Sequence, residues 1–375
     1  LVTAGLMTKG IVLVRTTDYG FHREEVFTAR IGLFEADYPD VESRRRFFQE
    51  LETGLLDRPE ITSLTLATTL PGLYAGTSRF SLLGEAYEGE QEYPTTHMVF
   101  ITPEFFETFG TAAVRGRPFT SADGPDGEQV AIVNQSFAAR YFPGTNPIGR
   151  QIRVGTEDGG MPWRTIVGVA PDLYMEGVGN PQEAPDGFYL PLAQQDARFI
   201  SIAARGRGDP MALTSVVREE VAVLNSDTPL YWVRTQKDAL DANLWQIDLF
   251  GGLFVIFGLG ALFMAAVGLY GVISFSVKQR TQEVGIRMAM GAHGADVLRL
   301  VLRQGVIQVA IGLSLGLGLG WFLSGAMQVT MFGIEPWDPM VFTAIAAVML
   351  ATGFLASYLP ALRATRVSPM VALRG

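Results

Sequence analysis

Three long stretches without a single charged residue constrain this chain more than anything else in it. Leu249–Val277 is uncharged over 29 positions, Gln304–Ile334 over 31 and Met340–Leu362 over 23. A bilayer core of roughly 30 Å is crossed by about 20 apolar helical residues, so each stretch is long enough to span it. Buried helices of large soluble proteins seldom stay uncharged for so long. The sequence therefore predicts transmembrane helices over about 249–277, 304–330 and 340–362.

The basic residues orient these helices. Short loops rich in Lys and Arg stay in the cytoplasm. Lys278, Arg280, Arg287, Arg299 and Arg303 lie between the first and second stretches, and Arg363, Arg366 and Arg374 follow the third. The loop between the second and third stretches holds Glu335 and Asp338 and no basic residue. The 278–303 loop and the C-terminus are thus expected inside, and the 335–338 loop and everything before Asp248 outside. Asp338 followed by Pro339 has the pattern of an N-cap with proline at the first helical position. Trp337 suits the outer interface. Trp321, 17 residues beyond Gln304, lies roughly 26 Å along a helix, also near the outer headgroups. Trp245 precedes the first stretch on the same side.

Charge is divided the same way. From Asp248 onward there are eight Lys/Arg and five Asp/Glu, which leaves 21 basic and 33 acidic residues in 1–247, a net of −12. So acidic an outer region argues against nucleic-acid binding. The chain has no cysteine, which excludes disulfides and thiolate chemistry, and His22, His97 and His293 are too far apart in sequence to suggest a metal site. No cofactor is expected. Leu1–Leu6 is too short to span a membrane and has no basic residue before it. It reads as the last turns of a transmembrane helix, with residues 1–18 its end and linker.

Within the outer region, 19–245, two stretches share a strand–helix–strand pattern. Glu25–Leu33 alternates, Val41–Leu56 is amphipathic with Phe47, Phe48, Leu51 and Leu55 on one face, and Ile61–Leu70 is strand-like. Phe199–Ala204, Met211–Leu224 and Pro229–Arg234 repeat the order. Two such units predict a split, ferredoxin-like sheet with helices on one face. Between them, about 95–195, short strands such as Gln129–Val133, Gln151–Val154 and Arg164–Val169 are broken by Gly, Pro and Asp. This predicts an inserted, mainly β subdomain. Two unrelated α+β segments would read similarly.

Gly312, Ser314 and Gly316 match the G-x-S-x-G pattern of a nucleophile elbow, but inside a membrane stretch with no histidine or acid in reach that chemistry has no partners. Gly312, Gly316, Gly320 and Ser324 recur every four residues, a face on which another helix can approach closely. No G-x-x-x-x-G-K-[ST] occurs, so ATP-driven work is expected to use a separate polypeptide. In the cytoplasmic loop, Arg280, Glu283 and Arg287 share one helical face, with Glu283 and Arg287 at i,i+4. Ile286, Met288 and Met290 add apolar contacts, and Gly291 can end the helix. On these residues alone, a docking helix and a solvated membrane-edge helix are both open.

The segment Arg280–Ala292 resembles the signature of FtsX-like permease domains, and Pro360–Arg374 resembles their C-terminal end. Thr102–Phe106, Gly116–Phe119, Val130–Phe142, Asn146–Arg150, Val167–Val169 and Tyr189–Pro191 resemble, in this order, the MacB-like periplasmic core domain. The resemblance implies an ABC-transporter permease with four helices, the first ending here at about Leu6, and a porter-type subdomain carrying an insert. The start in mid-helix would also suit the second half of a duplicated permease. Residues 246–375 would be the permease domain, in the bacterial inner membrane, with 19–245 extracytoplasmic. It implies a separate P-loop ATPase contacted through Arg280, Glu283, Gly285, Arg287 and Gly291, a homodimer or heterodimer of permeases, and a periplasmic adaptor. The roles in the family include efflux, export and lipoprotein handling. A membrane-anchored sensor or scaffold that signals by shape change is the alternative; a membrane-bound hydrolase finds no nucleophile or metal-ligand cluster to support it.

The topology is directly testable. A reporter fused after Gly375 is expected in the cytoplasm, and a tag in the Asp123–Glu128 loop is expected to be accessible on intact spheroplasts. A protected tag would reverse the orientation.

Overall fold

The computed structural model describes residues 1–16, 19–111, 115–156, 161–175, 177, 186–280, 283, 286, 290, 294–326 and 337–364. They form two compact units, Leu1–Thr16 with Gln246–Gly375, and Thr17–Trp245.

The outer unit begins with β1 (Val26–Gly32), α2 (Val41–Leu56) and β2 (Ile61–Ala67), and ends with β10 (Phe199–Gly206), α5 (Leu213–Leu224) and β11 (Leu230–Thr235); α1 (Val2–Thr16) belongs to the membrane unit. Asp40 caps α2, its side chain accepting from the Ser43 amide at 2.7 Å. Phe47, Phe48, Leu51 and Leu55 are all buried, as their spacing predicts. Each contributes about 1.5–3 kcal/mol by leaving water. They pack with Leu213, Val217 and Val221 of α5 over Phe27, Ala29 and Ile31 of β1 and Ile200, Ile202 and Ala204 of β10. The strands run in the order β11-β1-β10-β2 and every pairing among them is antiparallel. At the free end of this order, the β1–β11 register shifts between Thr28 and Arg30, and Trp232 has a φ of 50°.

Between β2 and β10 lie β3 (Thr77–Leu82), β4 (Thr95–Ile101), α3 (Phe105–Thr108), β5 (Arg115–Gly116), β6 (Val130–Asn134), α4 (Gln135–Tyr141), β7 (Gln151–Val154), β8 (Arg164–Ala170) and β9 (Gly187–Pro191). This part is mainly β, and it takes in β3, upstream of the expected start at about 95. The path β4-β3-β7-β8-β6-β9 closes on itself, because β9 also pairs parallel with β4 from His97↔Gly187 to Ile101↔Pro191. Phe80, Phe137 and Phe188 meet in one cluster with ring centroids 5.1–6.0 Å apart. The same strands are buried on their other face: Val99, Ile101, Val130, Ile132 and Tyr189 pack with Phe105, Phe106 and Phe109. Burial on both faces explains why β6 is an unbroken apolar run up to Asn134.

Among the described residues the membrane unit contains α1 (Val2–Thr16), α6 (Gln236–Gln279) from Gln246 onward, α7 (Gly294–Ala326) and α8 (Pro339–Ala364). Spans long and apolar enough to cross a membrane are Ile247–Gln279, Leu298–Leu323 and Pro339–Leu362. The second starts six residues before the expected 304 and so includes Arg299 and Arg303, whose long side chains can reach the headgroups from a helix end; residues 327–330 lie outside the described residues. Asp338 caps α8, accepting from the amides of Met340 at 3.0 Å and Val341 at 3.2 Å. Trp321 and Trp337 are brought together with ring centroids 6.0 Å apart.

The helix at the N-terminus extends well beyond Leu6, to Thr16. Within it the Lys9 ammonium is paired with the Asp338 carboxylate, and Arg15 donates to Asp248 at 2.9 Å. Leu6 is fully buried, clustered with Val341, and a Cβ on Gly5 would meet Ile345 and Val341 at 2.9 Å. A Cβ on Gly320 would lie 3.0 Å from Val2, whereas at Gly312 and Gly316 it would meet nothing within 4 Å. Gly320→Leu is therefore expected to separate α1 from α7 and lower the melting temperature in detergent by several degrees, with Gly316→Leu changing the isolated chain little. Equal melting temperatures for both variants would contradict this packing.

Candidate functional site

The cytoplasmic segment singled out by sequence is described only at some positions. Arg280 continues from α6, its amide reaching the carbonyls of Ser276 and Val277, both at 3.2 Å, and its side chain is exposed. Glu283 is exposed and helical; Ile286 and Met290 are 43% and 79% exposed, and the Met290 amide donates to the Ile286 carbonyl at 3.0 Å. That bond is the i to i+4 geometry of a helical turn, and it leaves two apolar side chains in solvent. Gly285, Arg287 and Gly291 lie outside the described residues, as does the side chain of Ser324. Gly312, Gly316 and Gly320 sit on α7 four residues apart as predicted, and of the three only Gly320 is approached by another of the described residues.

The outer unit holds a site the sequence reading missed. A cleft of about 500 Å3 opens between α2, the turn Ile101–Glu104, the loop from Phe119 to Pro125 and the segment Pro191–Ala197. Its walls are partly apolar, through Phe48, Leu56, Phe119 and Leu192, and partly charged. Most of the charge is cancelled locally. Arg44, only 3% exposed, donates Nε and Nη2 to the two Asp196 oxygens at 2.7 and 2.8 Å, and Nη1 to the Tyr38 carbonyl. Asp123, 4% exposed, receives Arg117 through two bonds at 2.8 and 2.9 Å. Burial alone would raise the Asp123 carboxyl, but Arg117 and the Thr120 amide outweigh it and hold it below the usual range.

Glu52 and Glu104 are different. Both line the cleft, and neither has a basic group within 4 Å among the described residues. Burial, and then the Glu104 carboxylate, push Glu52 up to about 7, against a hydrogen bond from Thr102 that favours the anion. Arg45, two turns before Glu52 on α2, leaves its Nε buried without an acceptor. The signal in the sequence was a carboxylate at position 52, next to the apolar stripe of Phe48, Leu51 and Leu55. Its partner, Glu104, is 52 residues away and adjacent only after folding. Among the described residues no group of three or more His, Cys, Asp or Glu could hold a metal. His97 is a packing residue, 8% exposed, with Nδ1 2.9 Å from the Ala75 carbonyl.

A carboxyl whose pKa is higher folded than unfolded stabilises the fold below the unfolded pKa and loses that contribution as pH rises through the folded one. For Glu52 the window is about pH 4.5 to 7, and a shift of that size is worth about 3 kcal/mol. Glu52→Gln is expected to leave stability unchanged near pH 4 and to raise it by about 1–3 kcal/mol at pH 8, read from denaturant unfolding of the outer unit's fluorescence at both pH values. A variant no more stable than the parent at pH 8 would show that Glu52 is solvated.

Residues 26–220, more than half of the chain, match the family model of the MacB-like periplasmic core domain, and residues 255–369 match that of the FtsX-like permease C-terminal. The pyoverdine export ATP-binding/permease protein PvdT of Pseudomonas putida is 27% identical over 72% of this chain and 41% of its own length. The macrolide export ATP-binding/permease protein MacB of Mannheimia succiniciproducens is 25% identical over 79% of this chain and 46% of its own. The chain thus spans less than half the length of these relatives. The crystal structure of the periplasmic region of MacB from Actinobacillus actinomycetemcomitans aligns with a TM-score of 0.39 at 14% identity, covering 61% of this chain and 96% of that one. With three apolar spans among the described residues, the chain is a multi-pass protein of the bacterial inner membrane whose core domain is extracytoplasmic. It belongs to the MacB/FtsX-like family of ABC-transporter permeases.

Proposed function

We propose that this chain is the permease part of an export system, in which a separate P-loop ATPase drives helix movements that change the conformation of the extracytoplasmic unit. The observation that carries the reading is the combination, in one chain, of a MacB-like core domain with three spans that bracket the FtsX-like segment around Arg280–Gly291. Export is the role printed in the names of the relatives, of pyoverdine in one and of macrolides in the other. The β11-β1-β10-β2 order with α2 and α5 on one face supports a ferredoxin-like, porter-type subdomain carrying the closed barrel as its insert. Gly312 and Gly316, open within the chain, suit contact with a second permease, identical or not. A periplasmic adaptor would complete the export path. A sensor that changes shape without transport remains the second reading, favoured by an outer cleft that could report occupancy.

The ATPase contact is assigned to Arg280, Glu283, Gly285, Arg287 and Gly291. An exposed surface ion pair is worth about 0–1 kcal/mol, so Glu283→Ala should barely affect folding. A charge that loses its partner at a desolvated interface costs about 2–5 kcal/mol. Glu283→Arg and Gly285→Leu are expected to express and fold normally yet lose co-purification with the ATPase and coupled ATP hydrolysis. Full retention of the ATPase by both variants would move the docking site elsewhere, first to the tail around Arg363–Arg374.

A further inference from the structure

We propose that the cleft of the outer unit is a binding site for an organic cation with an apolar body, a protonated amine or guanidine whose charge sits between Glu52 and Glu104. The argument starts from the charges that line the cleft. From α2 these are Arg44, Arg45 and Glu52; from the turn after β4, Glu104; from the loop after Phe119, Asp123; and from the segment after β9, Asp196. Arg44 satisfies Asp196 and Arg117 satisfies Asp123, each through two short bonds. What remains is Arg45, which makes no ion pair within 4 Å among the described residues, and two carboxylates, Glu52 and Glu104, of which Glu52 is largely removed from water and feels the charge of Glu104.

A fold gains nothing from such an arrangement by itself. Like charges in a poorly solvated place raise the free energy of the folded state, and such perturbed groups gather where a ligand or substrate completes the site. A cation placed between them would remove the repulsion, and in a partly desolvated cleft its attraction is stronger than in water. The rest of the lining sets the remaining chemistry. Phe48, Leu56, Ile101, Pro103, Phe119 and Leu192 offer apolar surface, and Leu56 is 45% exposed in spite of it. A bare metal ion would leave that surface wet, whereas an amine on an apolar body covers it. A volume of about 500 Å3 is in the range of small-molecule sites.

This inference does not depend on ATPase docking and is tested without an ATPase. The full chain, in phosphatidylcholine nanodiscs, is titrated calorimetrically with 1-naphthylmethylammonium and with its uncharged counterpart 1-naphthalenemethanol, with empty nanodiscs as the blank. The ammonium probe is expected to bind at least tenfold more tightly than the alcohol at pH 8. Glu52→Gln and Glu104→Gln are each expected to abolish that preference, with the thermal transition of each variant confirming a folded outer unit. Glu50→Gln, which removes the same charge from an exposed position of α2, should leave the preference intact. Between pH 8 and pH 6 the parent's affinity for the ammonium probe is expected to fall several-fold as Glu52 takes up a proton, and the Glu52→Gln variant's should not. Equal binding of ammonium and alcohol, an undiminished preference in both Gln variants, or binding of calcium with no binding of the amine would each overturn the proposal.

Discussion

The hydrocarbon layer of a membrane accepts neither an unpaired backbone polar group nor an uncompensated charge, and everything in this chain is arranged around that exclusion. It forces three helices to remain free of charge for more than twenty residues, gathers the basic residues that flank the spans in the 278–303 loop and the C-terminal tail, and sends all large-scale β structure to the other side. Both basic residues of α1 are matched within the membrane unit, Arg15 by Asp248. Lys9 is paired with Asp338, which also caps α8 through the amides of Met340 and Val341. One carboxylate thereby caps the start of one helix and neutralises a charge on another.

How much of this could be read from the sequence depended on whether the deciding interaction was local. The bounds of α2 follow from neighbours: Asp40 supplies the cap, and Phe47, Phe48, Leu51 and Leu55 recur at helical spacing. The Trp321–Trp337 pair follows from depth, since both residues were placed at the outer headgroups independently and then meet there. The N-terminal helix was underestimated for the opposite reason. Lys9 lies only three residues beyond Leu6, and the partner that accommodates its charge, Asp338, is 329 positions away.

The barrel and the cleft illustrate the same limit. Short strands between Gly and Pro were visible, but their closure rests on β4 and β9 running parallel with about 85 residues between them. Nothing in the sequence of Thr77–Leu82, a polar stretch around Phe80, marks it as a barrel strand. The Glu52–Glu104 pair is likewise a product of topology. One carboxylate comes from a helix that covers the sheet and the other from a turn at the end of a barrel strand, so the site exists only where the two halves of the outer unit adjoin.

Closure of the barrel also bears on how the protein tolerates its own surroundings. Proteins held in a membrane meet one another at high local concentration, in fixed orientation, which favours any surface able to add a strand. A closed ring of strands offers no such row of donors and acceptors. The open end of the sheet is β11, and there the register shift at Thr28/Arg30 and the left-handed backbone of Trp232 interrupt the regular spacing that a second copy would have to match. The irregularity that spoils this strand as a ladder thus keeps crowded copies from zipping together along their edges, leaving association to the helices in the lipid.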